Sequence, residues 1–214
     1  MTGRFHQKVC LLLLGILLLQ VNVLSQEVVD KTVATVSDGV STELITLSDL
    51  KWQLALQPNT PLDPPTSDDL NNALRILIDQ RLFALEAQRI PSPGTSDAEI
   101  AAKIAEILTY FPSTADFERR LRTVGFSSVN DDNFEAIIRQ RIAIEKYLDF
   151  RFRSFIVVTP EDEETYYREI FVPDFRRRFP DLLLPTLDEK RPEINALITE
   201  DRVAAAIEAF LDEA

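Results

Sequence analysis

Residues 131–155, DDNFEAIIRQRIAIEKYLDFRFRSF, contain neither glycine nor proline. Read at 100° per residue, Phe134, Ile137, Ile138, Ile142, Ile144, Leu148, Phe152 and Phe155 fall on one broad face. The spacing predicts one long helix, opened by a capping box of Asp132 and Glu135. A helix this long and apolar cannot bury its face alone, so other helices must be laid against it. Arg141 and Glu145 sit inside the apolar face, four residues apart. They predict a partly buried ion pair that fixes register, with an active-site pair as the alternative. Tyr147 and Phe150 point the other way, toward a second packing surface or an exposed contact site.

The residue types that are missing exclude most chemistry. His6, Cys10 and Met1 are the only residues of their kinds, and all three lie in the N-terminal segment. Beyond it only Gly39, Gly94 and Gly125 remain of the glycines. Without residues 1–25, no zinc site of His and Cys, no Cys nucleophile, no Ser-His-Asp triad and no glycine-rich phosphate loop can be built. No disulfide can form, and no cofactor or metal is implied. Carboxylate chemistry survives, but with 35 acidic residues almost any pair could be nominated. The net charge of −12 argues against nucleic acid and anionic membrane surfaces as partners. At 214 residues, one domain or one with a small annex is expected.

Residues 1–25 read as a secretory signal. Arg4 and Lys8 precede the apolar run 9–19, and Val23 and Ser25 suit the positions before a cut at Gln26. The run is short for a spanning helix, so a cleaved signal is expected and a retained anchor is the alternative. Residues 27–45 read as strand, turning at Ser37-Asp38-Gly39 and returning through Glu43, Leu44 and Ile45. Thr46 or Ser48 caps a short helix carrying Leu50, Trp52, Leu54 and Leu56. Trp52 is a core anchor or a ligand platform.

Four prolines make 58–66 a loop. The next helix runs from about 66 to 90. Leu70, Leu74, Leu77, Ile78, Leu82 and Leu85 line one side, with Ile76 and Phe83 opposite, so it is expected to be covered on two sides. Ser96 and Glu99 start another helix, and Ser113 a shorter one that ends at Gly125. Thr159, Pro160 and the following acids start a helix expected to stop near Pro173. Residues 172–185, rich in Pro and Arg, read as a connector. Phe171, Phe175, Phe179 and the leucines at 182–184 either pack on the long helix or stay exposed as a contact site. Residues 186–214 form a last helix, bent near Pro192, that packs back on the domain of 26–171.

Four segments in this order carry a resemblance: VVDKTVATVSDGV, LNNALRILIDQRLFALEAQRI, SDAEIAAKI and FEAIIRQRIAIEKYLDFRFRSFIVVTPEDEETYYRE. Together they resemble the N-terminal domain of SurA-type periplasmic chaperones, relatives of the parvulin-type peptidyl-prolyl isomerases. The resemblance covers roughly 27–169, and the last helix more loosely. Fuller members of that family carry one or two parvulin domains between a helix like TPEDEETYYRE and the terminal helix. Here about 15 residues fill that place, without the family's histidines or glycine-rich turns. The isomerase name therefore does not carry over. Relatives also end on a short strand that pairs with the first strand, whereas this chain ends in AIEAFLDEA.

The expected fold is mainly α, about seven helices around the long one with a small N-terminal β-hairpin or strand. The resemblance implies an ATP-independent chaperone of the bacterial periplasm, and not an enzyme. It implies clients that are unfolded polypeptides, outer-membrane β-barrel precursors above all, held in an apolar groove between helices with an acidic rim. No stable membrane insertion of the mature chain is expected. Candidate client contacts are Trp52, Tyr147, Phe150, Phe171, Phe175 and Phe179. A prolyl isomerase, following the family label, and an adaptor docking one folded envelope partner are the alternatives.

Overall fold

The computed structural model describes residues 30–91 and 94–213. The signal-like segment and the first valines of the expected strand lie outside them. The described chain is mainly helical: a two-stranded hairpin, β1 (Thr32–Ser37) and β2 (Thr42–Thr46), is followed by seven helices. These are α1 (Leu47–Ala55), α2 (Ser67–Gln88), α3 (Asp97–Leu108), α4 (Thr114–Thr123), α5 (Asp132–Arg151), α6 (160–178) and α7 (Leu187–Glu213).

The hairpin is antiparallel, with Val36 opposite Glu43 and Ala34 opposite Ile45. Its turn is built by Asp38, whose Oδ1 accepts the N–H groups of Val40 and Ser41, while Gly39 takes the positive φ of 84° that the turn demands. Val36 and Ile45 face inward, and Leu44 faces solvent, as the period of two requires.

Capping residues set most helix starts. Thr46 with Asp49, Thr66 with Asp69, Ser96 with Glu99 and Thr159 with Asp162 all close capping boxes. Thr186 and Glu189 do the same for α7. The long helix starts differently from the expectation. Its N-cap is Asp131, which accepts from Asn133 N–H at 3.0 Å, so Asp132 and Glu135 form no capping box. The reason is local: Asp131 Oδ2 is already held by the N–H and hydroxyl of Ser127, both at 2.9 Å.

Helix α5 also ends early. The backbone leaves regular α geometry at Phe152 and tightens into a 3₁₀ turn, Arg153–Phe155. Phe152 stays buried, whereas Phe155 is 70% exposed and drops out of the predicted core face. Conversely, α6 does not stop at Pro173. It passes from α (Pro160–Tyr166) through a π turn (Tyr167–Phe171) into α again (Val172–Arg178). The wider turn lies just before the proline, where an N–H is missing and the ring would crowd the preceding turn. The stretch expected to be a connector at 172–185 is therefore helix as far as Arg178.

Three apolar cores result. Ile100 and Ile104 of α3, Phe117 and Leu121 of α4, and Phe134, Ile138 and Ile142 of α5 form the first, with Phe111 and Phe126. The hairpin, α1 and one side of α2 (Ala73, Leu77, Leu85) form the second. The other side of α2 (Phe83, Ala84) meets Ile144, Tyr147, Phe152 and Val203 of α7 in the third. Helix α2 is thus covered on two sides, and α7 packs back through Phe210, whose ring lies 5.6 Å from Phe83 and 5.9 Å from Phe152. A half-buried Arg joins the first two cores. Arg120 of α4 donates to the carbonyls of Leu54, Ala55, Gln57 and Thr60 at 2.9–3.2 Å, closing the C-terminal end of α1. Helix α7 is tied to α6 through Glu163, which is buried and accepts from Asn195 at 2.8 Å and from Arg191.

Candidate functional site: an apolar groove between two helices

Where the C-terminal half of α2 faces α5, both helices present alanine. Ala84 and Ala87 lie opposite Ala143, and no large side chain fills the space between them. The result is a groove of about 400 Å³. Ile144, Tyr147 and Phe150 of α5 and Ile90 and Pro91 beyond α2 complete its apolar lining, with Gln88 and Gln140 as polar groups. Among the described residues Lys146 is the single charged one that lines it, and no acidic residue does. Lys146 Nζ is pinned at 2.6 Å to Glu99 and at 3.3 Å to the carbonyl of Gly94. Those contacts hold the Glu99 carboxyl down at about 2 through Lys146 first and the Ser96 N–H and hydroxyl next.

Phe150 stands at the mouth, 54% exposed. Tyr147 does not stand beside it in solvent. It is 7% exposed, wedged with its ring 6.4 Å from both Phe83 and Phe152. Burial, with the charge of Glu86 behind it, pushes its phenol above the ordinary range. The outward direction read from the helical wheel is correct, but Phe83 of α2 and Phe152 cover it. Tyr147 is a wall of the groove and part of a core, and is no exposed contact.

Phe171, Phe175 and Phe179 come together elsewhere. With Tyr167 they stack at i, i+4, i+8 and i+12 along α6, with centroids 5.5, 5.7 and 5.3 Å apart. Lys190 of α7 lies 5.9 Å from the Phe171 centroid, and the Tyr167 hydroxyl donates to Pro185 O at 2.6 Å. Ile170 and Leu197 border the ladder, making a shallow cleft between α6 and α7. Phe171 and Phe175 are half-buried and Phe179 is 46% exposed. Arg177 and Arg178 are largely exposed, and both bridge to Asp174, at 2.5 and 2.8 Å.

Trp52 belongs to neither place. Its indole N–H donates to Val124 O at 3.0 Å and its ring lies 5.2 Å from Phe126, the arrangement of a core anchor. The expected ion pair of Arg141 with Glu145 is not formed. Glu145 pairs with Lys103 of α3 at 2.8 Å, while Arg141 donates to Gln53 of α1. The two side chains leave α5 toward different neighbours, so their spacing of four brings no contact.

Sequence reasoning missed Ala84, Ala87 and Ala143, the residues that make the groove. A small residue on a helix reads only as a good helix former. The available signal is their shared position opposite each other, which depends on how α2 and α5 pair. Among the described residues, no group of three or more His, Cys, Asp or Glu could hold a metal ion. No described helix is long and apolar enough to cross a membrane. Searches against known protein families, curated proteins and solved structures found no match to this chain.

Proposed function

We propose that this chain is an ATP-independent chaperone of the bacterial cell envelope, of the SurA type but without a parvulin domain. Its clients are unfolded polypeptides, outer-membrane β-barrel precursors foremost. The observation that carries the reading is the α2–α5 groove: concave, nearly uncharged and fronted by the exposed ring of Phe150. The resemblance of 27–169 supplies the class of protein, and the signal-like residues 1–25 supply the periplasm.

The mechanism is passive. A client side chain leaves water for the groove, and no bond is made or broken. Room for about two large apolar side chains gives roughly 3–6 kcal/mol of transfer free energy. Ordering of the client opposes this, so affinity for a single segment is micromolar or weaker. Weak, reversible capture shields a chain from aggregation without trapping it.

The test is light-scattering suppression with several unrelated unfolded proteins, run beside a proline-limited refolding assay. Wild type suppresses aggregation of each, and catalyses no isomerisation above background. Ala143→Asp, which puts a carboxylate on the groove floor, abolishes suppression with little change in the far-UV spectrum. Suppression unaffected by Ala143→Asp and Phe150→Ser would remove the groove from the mechanism. Binding confined to one folded envelope protein would replace the chaperone with an adaptor.

A further inference from the structure

The wall of the α2–α5 groove is mostly carbon, and its few polar groups differ in what they have left to bond. Lys146 is already held by Glu99 and the carbonyl of Gly94. Gln88 lies exposed at the rim. Tyr147 is only 7% exposed, yet its hydroxyl meets no hydrogen-bond partner among the described residues. Buried tyrosine hydroxyls ordinarily find one. The oxygen is not sealed off either, because the side-chain atoms that are both unpaired and closed to water belong to Arg81 and Arg141. The hydroxyl therefore opens onto accessible space, and the groove is the cavity that Tyr147 lines. With its phenol pushed up by burial, it stays a donor across the neutral range.

Gln140, which also lines the groove, is half used. Its Oε1 accepts from Arg81 at 2.9 Å, while its amide N–H groups, open to water as well, meet no acceptor among the described residues. Gln140 and Tyr147 are seven positions apart on α5. Seven residues make two helical turns, so the pair shares a face and is spaced about 10 Å along the axis. An extended chain covers that distance with about three residues, at roughly 3.3 Å each. What these donors lack is a neutral acceptor. An extended peptide offers backbone carbonyls, whereas a helix has already bonded its own to its N–H groups. A charged ligand finds no free counter-charge, since Lys146 is taken.

We propose that the groove takes an extended, uncharged peptide segment, with the Tyr147 hydroxyl and the Gln140 amide donating to two of its backbone carbonyls about three residues apart. Apolar side chains of the segment lie on the alanine floor of Ala84, Ala87 and Ala143. This names the ligand of the groove and rests on the reading of the groove as the client site. Every unfolded chain carries such carbonyls, so these two bonds add affinity without restricting sequence.

The test uses the full chain and two probes. One is a fluorophore-labelled, end-capped peptide of alternating alanine and leucine, followed by polarisation. The other is N-phenyl-1-naphthylamine, a neutral apolar dye without a carbonyl, followed by its emission. Tyr147→Phe keeps the ring and removes only the hydroxyl. Gln140→Glu keeps an acceptor for Arg81 and removes the amide donors. Each is expected to lower the ratio of peptide to dye affinity about three- to tenfold, the equivalent of one neutral hydrogen bond. Should Gln140→Glu loosen the fold, Tyr147→Phe decides alone. A ratio unchanged in the variants, or a helix-stapled peptide of the same composition bound as tightly as the flexible one, overturns the assignment and leaves a purely apolar groove that still holds clients. Failure of wild type to bind either probe overturns the assignment together with the reading of the groove itself.

Discussion

Arg120 offers the sharpest test of how this fold is held. Its guanidinium reaches from α4 to four carbonyls at and beyond the end of α1. Leu54 O keeps a second donor, the N–H of Gln57 at 3.0 Å, if Arg120 is removed. For Ala55, Gln57 and Thr60 no other donor is seen among the described residues. Burial pushes the Arg120 guanidinium below its ordinary range, yet it remains charged at any working pH. Replacing it with Ala removes charge-assisted bonds, of which each contributes about 1.5–3 kcal/mol, but water reaches part of the site and relieves some of the loss. A net cost of about 3–5 kcal/mol follows, a large share of the roughly 5–15 kcal/mol that stabilises a domain. At about 2–4 °C per kcal/mol for a chain of this size, Arg120→Ala melts roughly 6–20 °C below wild type. Arg120→Lys recovers only part, because a compact ammonium with three donors cannot reach all four acceptors. The assay is thermal unfolding followed by circular dichroism at 222 nm. An Arg120→Ala protein melting within about 2 °C of wild type would refute the argument that this side chain closes α1.

Three further outcomes are expected. Tyr147→Ser destabilises by about 3 kcal/mol, as truncation of a buried aromatic does, while a substitution at exposed Phe155 leaves the melting temperature unchanged; paired denaturant melts check both. Phe175→Ser removes two ring contacts of the ladder and lowers stability by about 1–3 kcal/mol, and chemical denaturation that leaves it unchanged would mean the ladder contributes nothing. Glu99 and Asp162 have carboxyls held down to about 2, by Lys146 and by Arg202 respectively, so their stabilisation is complete above the unfolded value near 4.5 or 3.8 and drains as pH falls toward 2. Melting temperature against pH should therefore fall less steeply on the acid side in Glu99→Gln, and carboxyl titration by NMR should place Glu99 well below free glutamate.

The helices are written in the sequence. Ser or Thr followed three residues later by Asp or Glu marks the start of α1, α2, α3, α6 and α7, because a capping box is closed by residues adjacent in the chain. The buried faces of α2 and α5 follow from the 3.6-residue period for the same reason, and the hairpin follows from Asp38 and Gly39 in its turn. The reading failed where an outcome depended on a partner distant in sequence. Glu145 faces Lys103 and Arg141 faces Gln53, since the direction of each side chain is decided by which helix lies against it. Tyr147 points away from the first core, as its wheel position says, but it is buried against Phe83 of α2, 64 residues earlier in the chain, and against Phe152. The groove is the extreme case. Ala84, Ala87 and Ala143 carry almost no signal of their own, and a concavity exists only once two helices 59 residues apart in register are set side by side, as Arg81 and Gln140 are. Local pattern fixes what each segment is, because its energy comes from neighbours along the chain; the site is empty space between segments, and its shape is a property of their packing alone.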